Sequence, residues 1–409
     1  MITSIQASAK QAFLDAYAAI EGQDVAPLIR RLRQAGIASF DDLGFPGARD
    51  EDWKFTNLGP VLRHTYQTAA ADYGLGWAEV PGITVVPLAW AVAERPDLVE
   101  PYLGRVADHR VWPLVALNTA FLTDGLLIHV PAGVVVEQPV RFSTGTNGPG
   151  AWHRRVLVIV ESGAQLTLVE EHHSQPGDGT LTTKVTEIVV GANAHVDHYV
   201  LQDESLDAFY LATLAVQMAR DSRFSTHYFG LGGALARHEV RVRFTGENSE
   251  ATVNGLYQAS GTQHFDNHTV IDHAVPHCNS HELYKGILDG KSRGVFRGKI
   301  DVRKDAQKTD AKQTNQTLLL SDDATINTKP QLEIFADDVK CTHGATVGQL
   351  DEQQLFYLQS RGIGQAQARA LLTFAFANDL IGRVRVPALR RSLEERYLQT
   401  HHLPATEDE

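Results

Sequence analysis

A degenerate repeat with a period near 28 residues constrains the fold of this chain more than any other feature. Turn signals begin at Gly163, Gly191, Arg220 and Gly246, which are 28, 29 and 26 residues apart. The apolar residues that alternate after these turns are Leu166 and Leu168, Val196 and Val200, Phe224 and Tyr228, and Ala251 and Val253. Such repeats are typical of coils that bury their apolar faces only when neighbours stack on them. A β-sandwich would also alternate but has no reason to repeat its turns, so the pattern favours a parallel β-helix.

Helical patterns stand on both sides of this repeat. The first forty residues have apolar positions at helical spacing, with Pro27 as a first-turn residue and Gly36 as a stop signal. Helical patterns return at 352–360, 365–381 and 388–400. We therefore predict a mainly β protein with helical ends: an N-terminal helical region and connector at 1–80, a parallel β-helix core at 81–348, and a C-terminal helical region at 349–409.

Composition excludes several classes of protein. The net charge of −12 argues against broad nucleic-acid binding and against a polybasic membrane surface. Cys278 and Cys341 are the two cysteines, too few for a disulfide framework or for four thiolate ligands to one cluster. The first residues lack the pattern of a signal peptide, and no apolar run approaches the roughly 18 residues of a membrane-spanning helix. We expect a cytoplasmic protein.

The chain has 18 histidines, and five of them fall close together. These five are His264, His268, His273, His277 and His281. A spacing of four would pair imidazoles on a helix, but the local pattern is not helical, and on a strand it spans about 13 Å. We expect surface or cross-strand histidines, with a metal site built from stacked coils as the alternative.

Common catalytic and nucleotide-binding signatures are missing. Gly286 and the Gly290-Lys291 pair are separated by three residues where a phosphate-binding loop needs four. This segment therefore predicts a turn between strands, and we expect no ATP bound by this chain. No His-Glu-x-x-His helix occurs either.

The segment from Thr328 to Gly348 contains the most reactive side chains, Cys341 and His343. Cys-x-His on an extended chain places thiol and imidazole on the same face, about 7 Å apart at the backbone. Lys340 or a protonated His343 would favour the thiolate. The pair could bind iron or accept sulfur, but it supplies two donors where a cluster normally takes four. A buried, inert Cys341 is the alternative.

The same segment resembles the SufB/SufD family of iron-sulfur cluster assembly scaffolds. The resemblance is carried by Lys-Pro-Gln-Leu-Glu-Ile-Phe-Ala-Asp-Asp-Val-Lys-Cys-Thr-His-Gly-Ala-Thr-Val-Gly within 328–348. Supporting stretches lie at 51–55, 229–233, 245–249 and 356–362. The Cys-Thr-His-Gly form is similar to the SufD branch of the family, and the SufB paralogue is the alternative.

The resemblance implies a right-handed parallel β-helix between two helical regions and a non-catalytic scaffold. It implies a heterodimer with SufB through the β-helix, and recruitment of the SufC ATPase through the C-terminal helices. ATP would then be handled by SufC. A transient iron-sulfur cluster would form at an interface shared with SufB. A homodimer of the isolated chain and a role for a flavin stay open.

The resemblance also assigns residues. His343 matches the histidine that the family contributes to the nascent cluster site opposite a SufB cysteine, and Cys341 matches the cysteine two positions earlier. The helix predicted at 365–381 is apolar on several faces, which alone indicates either a cap on the β core or a docking surface. The resemblance favours docking of SufC, through Leu371, Leu372, Phe374, Phe376 and Leu380.

Two other functions compete with this interpretation. A cytoplasmic β-helix enzyme acting on a carbohydrate is one, because fold does not determine function. Such an enzyme needs an acidic or basic groove along one sheet. A stand-alone metal-binding protein using the histidine stretch is the other, and it predicts tight metal binding by the isolated chain.

Overall fold

Two parallel sheets wound from successive coils form the centre of the molecule. The computed structural model describes residues 2–68, 80–123, 125–146, 150–177 and 179–400. The strands in chain order are β1 (Thr84–Pro87), β2 (Leu126–Val130), β3 (Val140–Thr146), β4 (Ala151–Val160), β5 (Gln165–Ser174), β6 (Leu181–Val190), β7 (His195–Asp203), β8 (Phe209–Met218), β9 (Arg223–Gly230), β10 (Leu235–Phe244), β11 (Glu250–Ala259), β12 (His264–His273), β13 (Asn279–Leu288), β14 (Arg293–Val302), β15 (Asp310–Leu319), β16 (Thr325–Ile334) and β17 (Lys340–Gly348).

Helices lie before and after these coils. The helices are α1 (Ile2–Ile20), α2 (Pro27–Leu43), α3 (Gly59–Leu62), α4 (Leu88–Glu94), α5 (Pro96–Val99), α6 (Pro113–Ala120), α7 (Glu352–Ser360), α8 (Gln365–Ile381) and α9 (Pro387–Thr400). A 3₁₀ turn spans Glu51–Trp53. No helix among the described residues is long and apolar enough to span a membrane.

Successive strands alternate between the two sheets, so each coil gives one strand to each. The first sheet has the order β1-β2-β4-β6-β8-β10-β12-β14-β16, and the second has the order β17-β15-β13-β11-β9-β7-β5-β3. All neighbours are parallel except β1 and β2. Leu235, His264 and Arg293 stand in register on three consecutive coils, which reproduces the repeat of the sequence. The predicted parallel β-helix is confirmed, with about eight coils.

The interior of the β-helix is filled by every second side chain of each strand. Val156, Val158 and Val160 from β4 meet Leu166 and Leu168 from β5 in one buried cluster. We call this side of each strand the inner face. Alternation along a strand puts the remaining side chains on the outer face of the sheet, where helices and connecting segments outside the coils bury many of them.

The N-terminal helices cover the outer face of the first sheet. Phe13 of α1 and Phe40 of α2 pack with Leu181 and Leu211 of that face. The sequence predicted that Gly36 ends α2, but the helix continues through it to Leu43. A Cβ at Gly36 would stand 2.6 Å from the backbone nitrogen of Ala120, so this glycine lets α2 approach α6 closely.

Three helices fall inside the range 81–348 that we assigned to the β-helix core. They are α4, α5 and α6, and the uninterrupted parallel coils begin only at Leu126. Pro96 and Pro113 occupy first-turn positions of α5 and α6, and alanine and leucine dominate α4 and α6. These are helix-forming features that outweigh the β-branched residues around them.

The C-terminal helices cover the outer face of the second sheet. Ala377, Leu380 and Ile381 of α8 and Leu389 and Leu393 of α9 belong to one buried cluster. On the sheet side this cluster contains Val169, Tyr199, Phe229, Leu256 and Ile287, which belong to five successive strands. The helical patterns at 352–360 and 365–381 coincide with α7 and α8.

Candidate functional site

Cys341 and His343 lie together on β17, the last strand of the second sheet. Among the described residues β17 pairs only with β15, so its other edge is open. Cys341 is in register with Ala311, and His343 with Gln313. Ala311 and Gln313 are both buried in the interior, and in-register side chains of parallel strands share a face. Thiol and imidazole therefore both project to the inner face of the final coil.

The two side chains differ in their surroundings. His343 is exposed, whereas Cys341 is partly buried against Ala311 and Ala336. Burial raises the pKa of the Cys341 thiol, and the Asp310 carboxylate adds to this effect. The expectation that neighbouring cations would favour the thiolate is wrong for this chain. Lys340 cannot supply that charge because adjacent residues of a strand point to opposite faces.

The pair provides two donors and no more. Cys278 belongs to the buried core of earlier coils, and both cysteines are free thiols. In the part of the chain that the structure describes, no group of three or more histidine, cysteine, aspartate or glutamate side chains is placed to hold a metal ion.

The five clustered histidines do not converge on one point. His264 approaches Thr56, His268 approaches Arg237, and His273 approaches Ser280. The expected cross-strand position is found for His268 and His273, which are buried and contact residues of β10 and β13. Eight of the described histidines are buried, namely His129, His153, His172, His198, His227, His238, His268 and His273. Four of them, His172, His198, His238 and His273, stand at inner-face positions of their strands. An outer-face member, His153, is covered by Phe13 and Phe121.

The residues predicted to dock SufC lie on α8 in two different environments. Leu380 is 1% exposed and packs against the second sheet, so it belongs to the core of this chain. It is therefore not accessible to SufC. Leu371, Leu372, Phe374 and Phe376 are half-buried. Phe376 also lies under Lys285, whose ammonium is 4.5 Å from the ring centroid. The α8 helix therefore covers the β core, and part of its surface stays accessible.

An exposed apolar surface near the C-terminal end of the β-helix was missed by sequence reasoning. Phe356 and Tyr357 of α7 are 73% and 57% exposed, and α7 contains no buried residue. Phe335 and Val347, after β16 and within β17, are 64% and 48% exposed. The signal was present in α7, since its apolar residues are consecutive and cannot all face one side of a helix.

The N-terminal stretch 51–55 lies across the outer face of the first sheet. The Trp53 ring is buried beneath the Arg237 guanidinium, which is 3.9 Å from its centroid. Asp52 pairs with Arg297 at 2.7 Å, and Glu51 pairs with Lys329. This stretch therefore connects the N-terminal region to β14 and β16 of the first sheet.

Comparison with known protein families agrees with the fold and the motif. The model of the SufBD core domain of the SUF system for iron-sulfur cluster assembly matches residues 142–376. The model of the SufBD N-terminal region matches residues 77–142. Since the core match alone spans more than half of the chain, the protein belongs to the SufBD family of iron-sulfur cluster assembly proteins.

Individual relatives indicate the branch of the family. The chain is 38% identical to the iron-sulfur cluster assembly protein SufD of Escherichia coli, over 86% of this chain and 88% of the relative. It is 32% identical to a SufBD family protein of Synechocystis, over 92% of each. SufD of Bacillus subtilis is 26% identical, over 76% of this chain and 72% of the relative.

Proposed function

We propose that this chain is the SufD-like scaffold subunit of a cytoplasmic SUF complex. It pairs with SufB through the final coil of the β-helix, binds the SufC ATPase through its C-terminal helices, and has no catalytic turnover of its own. The nascent iron-sulfur cluster is its cargo, with His343 as a ligand from this chain and Cys341 as a second donor. SufC supplies the ATPase activity.

The position of the two donors on an open terminal strand carries this proposal. His343 and Cys341 face the interior at the end of the stack, where no further coil of the described chain follows. Two donors leave a cluster short of ligands, and a second subunit placed on this end can supply the others. An exposed edge strand also offers unpaired backbone groups to a partner strand.

The two ends of the β-helix are unequal, which supports pairing at the C-terminal end. At the N-terminal end β1 pairs with β2, and Val80, Ile83 and Val85 pack against the interior cluster. At the other end Phe335 and Val347 are exposed. Apolar side chains around an open edge are typical of a surface that another protein covers.

The SufC contact is assigned to α7 and the accessible part of α8. Phe356 and Tyr357 present two aromatic rings to solvent on a helix without buried residues. Aromatic residues contribute strongly to interfaces because each buries a large area. The half-buried Leu371, Leu372, Phe374 and Phe376 extend this apolar surface.

A carbohydrate-active enzyme receives no comparable support. The open groove on the outer face of the second sheet is lined by residues of both signs, including His195, Asp197, Arg223 and Glu250. Asp197 is already engaged by Arg385 at 3.3 Å and by Ser225. The predicted single-sign groove is therefore not found there.

Co-expression with SufB and SufC from the same source tests the proposal. We expect both partners to co-purify with a tag on this chain, and anaerobic reconstitution to yield clusters. His343→Ala should keep the partners and lose most of the cluster, while His173→Ala, at an exposed histidine of β5, should behave as wild type. Absence of both partners would overturn the scaffold assignment, and normal clusters with His343→Ala would overturn the site alone.

A further inference from the structure

A column of polar side chains runs through the interior towards His343. On the second sheet, Glu282 of β13, Gln313 of β15 and His343 of β17 stand in register on three consecutive coils. Neighbouring strands are about 4.8 Å apart, so side chains at such positions contact one another. Glu282 and Gln313 are 3% and 1% exposed. Polar groups so deeply buried need hydrogen-bond partners.

Hydrogen bonds fix the orientation of the two buried members. Thr269 Oγ1, on the opposite sheet, donates to Glu282 Oε1 at 2.5 Å. Gln313 Nε2 donates to Glu282 Oε2 at 2.8 Å. In this arrangement both oxygens of Glu282 accept, and the amide nitrogen of Gln313 faces Glu282. The carbonyl oxygen, Gln313 Oε1, is buried and has no hydrogen-bond partner.

The fold makes room for this glutamine. Gly298 occupies the facing position on the first sheet, in register with Thr269 on one side and Pro330 on the other. A Cβ at Gly298 would overlap Gln313 Nε2. The amide therefore fills the space left by a glycine on the opposite wall. A buried carbonyl without a donor destabilises the fold, so a donor supplied in the assembled state would remove this penalty.

We propose that Gln313 is a positioning residue for His343, whose imidazole N–H donates to Gln313 Oε1 when a partner covers the final coil. This hydrogen bond leaves the lone pair of the other ring nitrogen for iron. Metal-binding histidines generally donate their second ring nitrogen to a carbonyl or carboxylate, which fixes tautomer and ring orientation. Thr269 and Glu282 hold the amide in place from behind. The inference builds on the proposed role of His343 in the SUF complex.

Position along β15 distinguishes Gln313 from its neighbour. Asn315, the next inner-facing residue, also has a buried oxygen without a partner. It is in register with Ala345, which has no side-chain donor. Asn315 therefore shares the burial and chemistry of Gln313 but not the histidine, and it serves as the matched control.

The test measures the imidazole of His343 itself, in the complex with SufB and SufC at several pH values. The rate of carbethoxylation of His343, followed by peptide mass spectrometry, gives the pH midpoint of the ring. Gln313→Met, which removes the acceptor, should lower this midpoint by about 0.7 unit, because the charged ring donates a stronger hydrogen bond than the neutral ring does. It should also weaken cluster retention about 10-fold. Asn315→Leu should change neither quantity.

A rescue variant separates positioning from general damage to the core. The double variant Glu282→Gln with Gln313→Glu keeps the mutual hydrogen bond and directs a carboxylate oxygen at His343. Its midpoint should rise above that of the wild type. An unchanged midpoint in both Gln313→Met and the double variant overturns the inference; if Gln313→Met does not fold, the double variant alone decides. Normal clusters in His343→Ala would refute the cluster site. A shifted pH midpoint of His343 in the Gln313→Met variant would still support the positioning contact.

Discussion

Buried neutral histidines make individual residues of this protein sensitive to acid. Burial lowers the pKa of His153, His198, His238 and His273 to about 3, and that of His227 to about 4. The unfolded chain binds protons at these sites near pH 6.5, whereas the folded chain does not. Their contribution to stability is therefore present above pH 6.5 and is lost as the pH falls towards 3.

His238→Phe tests this directly. The ring of His238 stacks on Tyr228 with centroids 4.2 Å apart, and phenylalanine keeps that contact. Between pH 8 and pH 5.5 the variant should lose about 1.4 kcal/mol less unfolding free energy than the wild type does. This difference corresponds to one histidine titrated one pH unit below its pKa in the unfolded chain. Urea unfolding at the two pH values measures this, with His173→Gln as the exposed control. Equal losses in His238→Phe and wild type would contradict the burial argument.

Two buried carboxyls act in the opposite direction. Burial raises the pKa of Glu204 and of Glu282 to about 7, so their protonated forms fit the fold and stability falls as the pH rises from 4.5 to 7. As the pH rises from 5 to 8, the unfolding free energy of Glu282→Gln should therefore increase relative to that of the wild type by roughly 1–2 kcal/mol. Thermal unfolding at both pH values checks it; the same pH dependence in variant and wild type would exclude Glu282 as its source.

At the scale of elements, one ion pair attaches a loop to the first sheet. Arg155 and Glu187 are fully buried and 2.6 Å apart, and the backbone N–H groups of Gly104, Val106 and Ala107 donate to Glu187. Glu187→Ala would leave a buried cation and three donors without this acceptor. We expect a loss of about 3–5 kcal/mol in the free energy of unfolding.

The control for Glu187→Ala is Glu171→Ala, at the more accessible Arg141–Glu171 pair. Pairs near the surface contribute about 0–1 kcal/mol, so this change should be small. Chemical unfolding of both variants compares the two elements. Similar losses in the two variants would show that burial of the first pair has no special weight.

The exposed aromatic side chains of α7 support a different prediction. Phe356→Glu with Tyr357→Glu should abolish co-purification of SufC yet change the unfolding free energy by less than about 0.5 kcal/mol, because both rings are exposed. Leu380→Glu is the informative contrast, since it should destabilise the fold itself. Retention of SufC by the α7 variant would place the docking surface elsewhere.

Sequence could predict these elements to different degrees. The repeat spacing predicted the coils, and helical periodicity predicted α7 and α8, with Gly382 as the stop signal after α8. Contacts between coils, such as that of Glu282 with Gln313, could not be predicted from the sequence because a degenerate repeat does not fix the register of the strands. A shift of one residue exchanges inner and outer faces. The motif identified Cys341 and His343, but their shared inner-facing position at an open end required the structure.

At the scale of the whole molecule, the open C-terminal end predicts self-association when partners are absent. Both sheets end there in edge strands, β16 and β17, next to the exposed Phe335 and Val347. The isolated chain should form a dimer at micromolar concentration through this end. Phe335→Glu should shift it to monomer in sedimentation experiments, while Leu206→Glu, at another exposed apolar residue, should not. A dimer that persists in Phe335→Glu would assign self-association to another surface.

The packing of α8 and α9 on five strands of the second sheet also determines how the molecule carries load. A pulling force applied to the last coil alone would break the hydrogen bonds of one strand at a time. A pull applied to these helices is shared by five coils in parallel and meets the resistance of all their contacts together. Force generated by a nucleotide-driven partner at the C-terminal helices would therefore move the β-helix as one rigid body. The final coil, with β17, would move together with the helices.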